Sequence, residues 1–194
     1  MTPDSIDEAR AVDSMTHAML SSSMLLALMD ALNDEQRCKM TIRQFFDSFM
    51  KTHQSERFVP FNEGVIRTIM YWVMFMKENW WDLIPEDDLS VWHVVPVSMT
   101  IPLKSNPTIK YFVRRLRNSM GHNAPAIHVP VGVTLENMRE QVTMKFHDHD
   151  VKNPSDTFDV ELKLGDAFDL THRLHAIVLA DVAKRHGVEP PKSQ

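Results

Sequence analysis

Residues 105–123 read SNPTIKYFVRRLRNSMGHN and combine a regular apolar pattern with a dense run of arginines. The apolar residues recur every three or four positions, which is the spacing of one helix face. They are Ile109, Phe112, Val113, Leu116 and Met120. The stretch therefore predicts an amphipathic helix with one buried side.

The two ends of this helix are predicted from residues that commonly terminate helices. Ser105 or Asn106 is the predicted N-cap, because a short polar side chain accepts a hydrogen bond from the first free amides. Pro107 suits the first turn, where no amide donor is needed. Gly121 is the predicted end, because glycine takes the left-handed conformation that often follows the last turn.

The predicted end decides whether Arg117 and His122 can act together. Arg117 lies at the flank of the buried stripe, where its stem packs and its guanidinium projects, and Asn118 faces the polar side. If the helix stops at Gly121, the His122 ring can swing beside that guanidinium. If the helix continues, the two side chains point about 140° apart.

Three more helices are predicted before this stretch from apolar residues at helical spacing. They cover residues 14–33, 41–53 and 62–81. Residues 89–103 contain β-branched residues but also two prolines, which favours an irregular connector over a strand.

A different pattern follows the helix. Residues 141–147 and 157–164 alternate apolar and polar side chains around a polar turn, which predicts a β-hairpin. A last helix is predicted over residues 166–186, ended by Gly187. The predicted fold is mainly α: a helical bundle of four to five helices with a β-hairpin insertion before the C-terminal helix. One domain over 1–194 is predicted, with residues 1–13 and 188–194 as flexible tails.

The composition is that of an ordinary globular protein. The chain has 194 residues, of which 43% are apolar, and this fits one domain with a hydrophobic core. The single Cys38 cannot form an internal disulfide, which predicts a reducing compartment such as the cytoplasm. The N-terminal sequence lacks the segments of a signal peptide. The most apolar run, residues 69–76, is shorter than a membrane span, so no membrane partner is predicted.

The basic residues are concentrated around the arginine-rich helix. Residues 89–135 contain no aspartate or glutamate and carry a charge of +5, although the whole chain carries −5. The five cations are Lys104, Lys110, Arg114, Arg115 and Arg117. A basic surface on an acidic protein fits a partner that bears phosphates. A solvated helix face neutralised by acidic neighbours gives the same pattern.

The run from Arg117 to His122 resembles the Arg-Asn-x-x-x-His form of the Arg-x(4–6)-His signature of the HEPN superfamily (higher eukaryotes and prokaryotes nucleotide-binding). Asn123, the hairpin with His147 and residues 158–162, and the helix from Asp166 are also similar to HEPN sequences. The resemblance implies an all-α bundle that dimerises and acts as a metal-independent endoribonuclease. It also implies a toxin–antitoxin or phage-defence setting, with RNA and a possible antitoxin as partners.

The residue types of the motif suit RNA cleavage by the ribose 2′-hydroxyl. His122 can transfer protons near neutral pH, and the planar cation of Arg117 matches phosphate oxygens. Asn118 could orient His122 or hold a phosphate oxygen, a polar role that the resemblance implies. One histidine cannot conveniently serve at both ends of an in-line attack, and the resemblance implies that a dimer brings two motifs to one cleft. The expected products are a 2′,3′-cyclic phosphate and a 5′-hydroxyl.

Four further residues are predicted to bind RNA phosphates: Lys110, Arg114, Arg115 and Asn123. Arg114 lies one turn from Asn118 on the polar side of the helix, and Arg115 lies on the other flank.

Several alternatives stay open at this stage. Arg117 and His122 could simply stabilise a helix C-terminus, where cations are favourable. The domain could be a non-catalytic HEPN module that binds nucleotide, RNA or a protein, or a transferase-type relative that modifies its partner from a nucleotide. The HDHD run at 147–150 is a weak metal candidate, because it lies at a predicted strand end and turn and no second cluster is evident in the sequence, so no metal is predicted. No cofactor is predicted either, since no glycine-rich phosphate loop is present.

Overall fold

The computed structural model of the chain describes residues 3–53, 70, 78–122, 125–134 and 136–188. The chain divides into two compact units, Met1–Thr68 and Ile69–Gln194, which are considered separately below. The sequence-based prediction of a single domain over 1–194 stays a prediction. Asn123 and most of the predicted helix at 62–81 lie outside the described residues.

The first unit contains two helices, α1 (Pro3–Asn33) and α2 (Ile42–Thr52). Both confirm predicted helices, although α1 begins inside the segment that was expected to be a flexible tail. The N-terminus of α2 is capped by two reciprocal hydrogen bonds. The backbone amide of Gln44 donates to the Thr41 hydroxyl oxygen, and the backbone amide of Thr41 donates to the side-chain oxygen of Gln44. None of the helices in the described part of the chain has the length and hydropathy that a membrane crossing requires.

The second unit mixes helices and strands. Its elements are α3 (Glu78–Trp81), β1 (Ser98–Thr100), α4 (Ile109–His122), β2 (Ala126–His128), α5 (Met138–Gln141), β3 (Thr143–His149), β4 (Thr157–Lys163) and α6 (Leu164–His186). The strands form one antiparallel sheet in the order β1-β4-β3-β2. The mainly helical class is confirmed, but a four-stranded sheet replaces the isolated hairpin that was predicted.

The predicted hairpin forms the centre of the sheet. Strands β3 and β4 pair along their whole length, from Thr143 opposite Lys163 to His149 opposite Thr157. The edge strand β1 lies within residues 89–103, so the prediction of an irregular connector there is wrong for Ser98–Thr100. Three residues are too few to show an alternating pattern, and β1 exists because β4 offers it a partner.

Helix α4 packs on the inner face of this sheet. The buried Phe112 of α4 meets the buried Phe158 of β4 with ring centroids 5.5 Å apart. Along β3, Met144, Phe146 and Asp148 are buried while Lys145, His147 and His149 are exposed. The inward side of β3 is therefore apolar except at its last position, Asp148.

Helix α4 begins later than the sequence predicts. Its N-terminal residue is Ile109, and the backbone oxygen of Thr108 accepts the first helical hydrogen bond from Phe112. The predicted N-caps Ser105 and Asn106 are wrong. Thr108 takes this position because its hydroxyl donates to Glu86, so a tertiary contact fixes the start.

The predicted end of α4 at Gly121 is also wrong. The helix includes both Gly121 and His122, since glycine accepts helical dihedral angles as readily as left-handed ones. The C-terminus of α6 does follow prediction, because Gly187 has a φ of 64° and its amide donates to the last turn.

Candidate functional site

Helix α4 presents two different polar sides. Residues seven positions apart on an α-helix lie within about 20° of each other. Arg115 and His122 therefore share one side, and Lys110 and Arg117 share the other. Because α4 continues to His122, Arg117 and His122 point about 140° apart. The helix therefore holds the two motif side chains apart within a single chain.

The first polar side faces the buried Asp148 of β3. Asp148 Oδ2 lies 2.8 Å from Arg115 Nε, and Asp148 Oδ1 lies 3.1 Å from His122 Nδ1. The Asp148 side chain is only 2% exposed, whereas that of His122 is 56% exposed. One buried carboxylate thus contacts two α4 side chains that lie two turns apart.

Arg115 has a second carboxylate partner, Asp156, which directly precedes β4. Arg115 Nη1 lies 3.0 Å from Asp156 Oδ2, and Nη2 donates to the Asp156 backbone oxygen at 3.1 Å. Arg115 was predicted to extend an RNA-binding surface, but its side chain is 8% exposed and forms ion pairs with two carboxylates. The hairpin covers this flank of α4, and the apolar pattern of the helix does not predict this contact.

Tyr111 lies beside this ion-pair cluster. Burial raises the pKa of the Tyr111 hydroxyl above its ordinary value, and the positive charge of Arg115 acts in the opposite direction. The burial effect is the larger of the two, so the net shift of the Tyr111 pKa is upward. The Nζ of Lys104 lies 4.3 Å from the centroid of the Tyr111 ring on the side that faces the loop before α4.

The ring of His122 is oriented by its carboxylate partner. An aspartate accepts hydrogen bonds, so the contact with Asp148 favours the neutral tautomer that carries its proton on Nδ1. Nε2 then keeps its lone pair and can act as a base. Asn118, one turn earlier and about 40° away around the helix, is half-buried.

The second polar side of α4 carries the exposed cations. Arg114 and Arg117 are exposed, and the Arg117 guanidinium carbon lies 5.4 Å from the centroid of the buried Trp81 ring. This cation–π contact holds the guanidinium beside the ring, and the exposed arginine still has N–H donors that can bind phosphate oxygens. Lys110 is partly neutralised, with its Nζ 3.6 Å from Asp82 Oδ1.

The HDHD run does not gather into one cluster. Because successive side chains on a strand point to opposite faces, His147 and His149 lie outside while Asp148 lies inside. His147 Nδ1 contacts Asp159 Oδ1 at 2.6 Å on the outer face. Among the residues that the structure describes, no group of three or more histidine, cysteine, aspartate and glutamate side chains could hold a metal.

Sequence reasoning considered Asp148 only within the weak HDHD metal candidate and not as a partner of His122, and it missed Asp156. A signal for Asp148 was present, because it occupies an inward position of an otherwise apolar strand face, where a charged residue needs a partner. Asp156 gave no such signal, since it follows the polar hairpin turn.

The fold and the site define a mainly helical class in which an Arg-Asn-x-x-x-His helix packs on an antiparallel sheet. A family model described as HEPN pEK499 p136 matches residues 15–185. The match covers most of the chain, so the chain belongs to the HEPN pEK499 p136 family, and the predicted superfamily is confirmed. No curated protein and no solved structure matches the chain.

Proposed function

We propose that this protein is a metal-independent endoribonuclease that acts as a dimer in a toxin–antitoxin or phage-defence setting. Membership of a HEPN family indicates a function related to nucleotides or RNA. The observation that carries the finer proposal is the contact between His122 and Asp148, in which a half-exposed imidazole is backed by a buried carboxylate. This arrangement suits a general base better than a helix cap, which needs no carboxylate.

The chemistry divides between the two sides of α4. His122 Nε2 takes the proton of the ribose 2′-hydroxyl, whose oxygen attacks the adjacent phosphorus. Arg117 stabilises the negative charge that grows on the phosphorane oxygens. The bond to the departing 5′-oxygen then breaks, and that oxygen takes a proton from the imidazolium form of His122 of the partner subunit. The products are a 2′,3′-cyclic phosphate and a 5′-hydroxyl.

The divergence of Arg117 and His122 supports a dimeric site. In-line cleavage needs proton transfer at opposite ends of the reacting phosphate, and one helix offers one histidine. A two-fold axis near α4 supplies a second motif in the inverse orientation. Arg117 of one protomer then approaches His122 of its partner. Within one chain the two side chains point about 140° apart around the helix, so they do not face the same phosphate.

A direct test is cleavage of mixed cellular RNA in EDTA by the wild-type protein and by Arg117→Ala. We expect fragments ending in 2′,3′-cyclic phosphate from the wild type and a rate about 10²–10³-fold lower from the variant. Arg43→Ala, which removes an exposed arginine of α2, is the matched control and should cut at the wild-type rate. The specific activity should also fall on dilution as dimers dissociate.

Three outcomes would contradict this proposal: fragments that end in 3′-hydroxyls, a requirement for a divalent metal, or no cleavage of any RNA by an intact dimer. The third favours the alternative of a non-catalytic HEPN module that binds nucleotide, RNA or protein. The cation–π contact between Arg117 and Trp81 is compatible with a binding module, because the contact holds the arginine side chain without any substrate.

Arg114 is expected to bind an RNA phosphate without taking part in the chemistry. Arg114→Ala should weaken RNA binding and lower the slope of log affinity against log salt by about 0.7, the contribution of one phosphate contact on a single strand. Filter binding between low and high salt measures this slope. Arg43→Ala should leave the slope unchanged, and an unchanged slope in Arg114→Ala would exclude the role.

A further inference from the structure

We propose that Asp148 is the positioning residue for His122, an inference that rests on the proposed ribonuclease function for its catalytic consequence. In this arrangement the hairpin supplies a carboxylate that fixes the orientation and tautomer of the motif histidine. Arg115 and Asp156 in turn hold that carboxylate in place.

The position of Asp148 is fixed by the sheet. Asp148 pairs with Phe158 in the register of β3 and β4, and it occupies the last inward position of β3. Its backbone is therefore rigid, and its side chain points at the side of α4 that carries Arg115 and His122. A carboxylate on a free loop would lack this constraint.

The two carboxylate oxygens of Asp148 have different partners. Oδ2 lies 2.8 Å from Arg115 Nε in an ion pair, and Oδ1 lies 3.1 Å from His122 Nδ1. Turning the carboxylate away from this position would lengthen both contacts, so the two partners together favour the orientation in which Oδ1 faces the imidazole.

The charge of the cluster also suits a histidine that gains a proton. Arg115 contacts two carboxylates, those of Asp148 and Asp156, so the three groups together carry a charge of −1. An imidazolium at His122 neutralises this charge when the ring accepts the proton of the 2′-hydroxyl. The carboxylate of this pair is buried, although the His122 ring itself is 56% exposed, so water screens the interaction from one side only.

The outer face of the same sheet provides a matched pair. His147 Nδ1 lies 2.6 Å from Asp159 Oδ1, but these side chains are 53% and 50% exposed. Water screens such a pair, and exposed ion pairs contribute little. Asp159→Asn is therefore a control that removes the same kind of contact from a solvated histidine.

The inference is tested by nitrogen NMR of ¹⁵N-histidine-labelled protein at a pH where the rings are neutral, with His122→Ala used to assign the signals. In the wild type we expect the His122 proton on Nδ1. In Asp148→Asn we expect it on Nε2, because the amide can donate to Nδ1. The same variant should cut RNA at least about 100-fold more slowly. Asp159→Asn should change neither the His122 tautomer nor the cleavage rate.

The possible results distinguish the positioning role of Asp148 from the proposed ribonuclease function. A wild-type His122 with its proton on Nε2 overturns the inference without any variant, so the test survives even if Asp148→Asn does not fold. A folded Asp148→Asn that keeps the wild-type tautomer and rate also overturns it. If the tautomer changes as expected but the wild type cuts no RNA, the positioning role stands and the proposed function fails.

Discussion

Replacing Arg115 by methionine is expected to lower the free energy of unfolding by about 3–5 kcal/mol, the cost of leaving one partner of a buried ion pair uncompensated. Asp148 is 2% exposed and would lose the guanidinium that balances its charge. Asp156 contributes less to this cost, because its side chain is 22% exposed and reaches water. Urea denaturation of the full chain, followed by circular dichroism, measures the loss.

Two further variants separate the buried charge from a general effect on the helix. Arg114→Met, one position earlier on α4 and exposed, should change stability by no more than about 0.5 kcal/mol. The double variant Arg115→Met with Asp148→Leu should recover most of the loss, because it removes the unpaired carboxylate together with its partner. If Arg115→Met is as stable as the wild type, or if the double variant recovers nothing, the ion pair does not have the role described here.

Replacing His122 by alanine is expected to slow RNA cleavage by about 10²–10⁴-fold, the usual contribution of one general acid–base group. The effect on stability should be small, because the side chain is 56% exposed and lies in the last turn of α4. RNA binding should persist, since the exposed cations Arg114 and Arg117 are unchanged. Initial cleavage rates in EDTA, measured beside filter binding, report both quantities.

His149→Ala is the matched control for this prediction. His149 follows Asp148 directly but lies on the exposed outer face of the sheet, so its removal should leave the cleavage rate unchanged. Equal rates for His122→Ala and the wild type would remove His122 from the mechanism. A loss in His149→Ala as large as that in His122→Ala would instead indicate a site on the outer face.

The long elements of this chain follow directly from its sequence. The apolar stripes of α4 and α6 and the alternation of β3 and β4 each repeat over several periods, so the buried side is encoded locally. Edge strand β1 has only three residues and depends on its pairing with β4, which no local pattern records. The same limit explains the start of α4, where Thr108 contacts Glu86 22 residues earlier in the chain. The end of α4 differs from the prediction because Gly121 adopts helical dihedral angles instead of left-handed ones.

The candidate site also has parts that could be predicted from the sequence and parts that could not. The Arg-Asn-x-x-x-His motif on α4 and the HEPN family could be predicted from the sequence, and the family is confirmed over residues 15–185. The catalytic roles of Arg117, Asn118 and His122 stay predictions. The sequence placed Arg115 among exposed phosphate-binding cations, because a helical pattern assigns a flank residue to solvent unless another element covers it.

By itself, the sequence determined the long helices and the central hairpin of this protein, where its basic residues concentrate and which family it belongs to. Only the tertiary structure decided which cations are free and which are buried. Asp148 is 26 residues from His122 and 33 from Arg115, and Asp156 is 41 residues from Arg115. Contacts at such separations depend on how the hairpin packs against α4, and the local periodicity of either segment does not specify that packing.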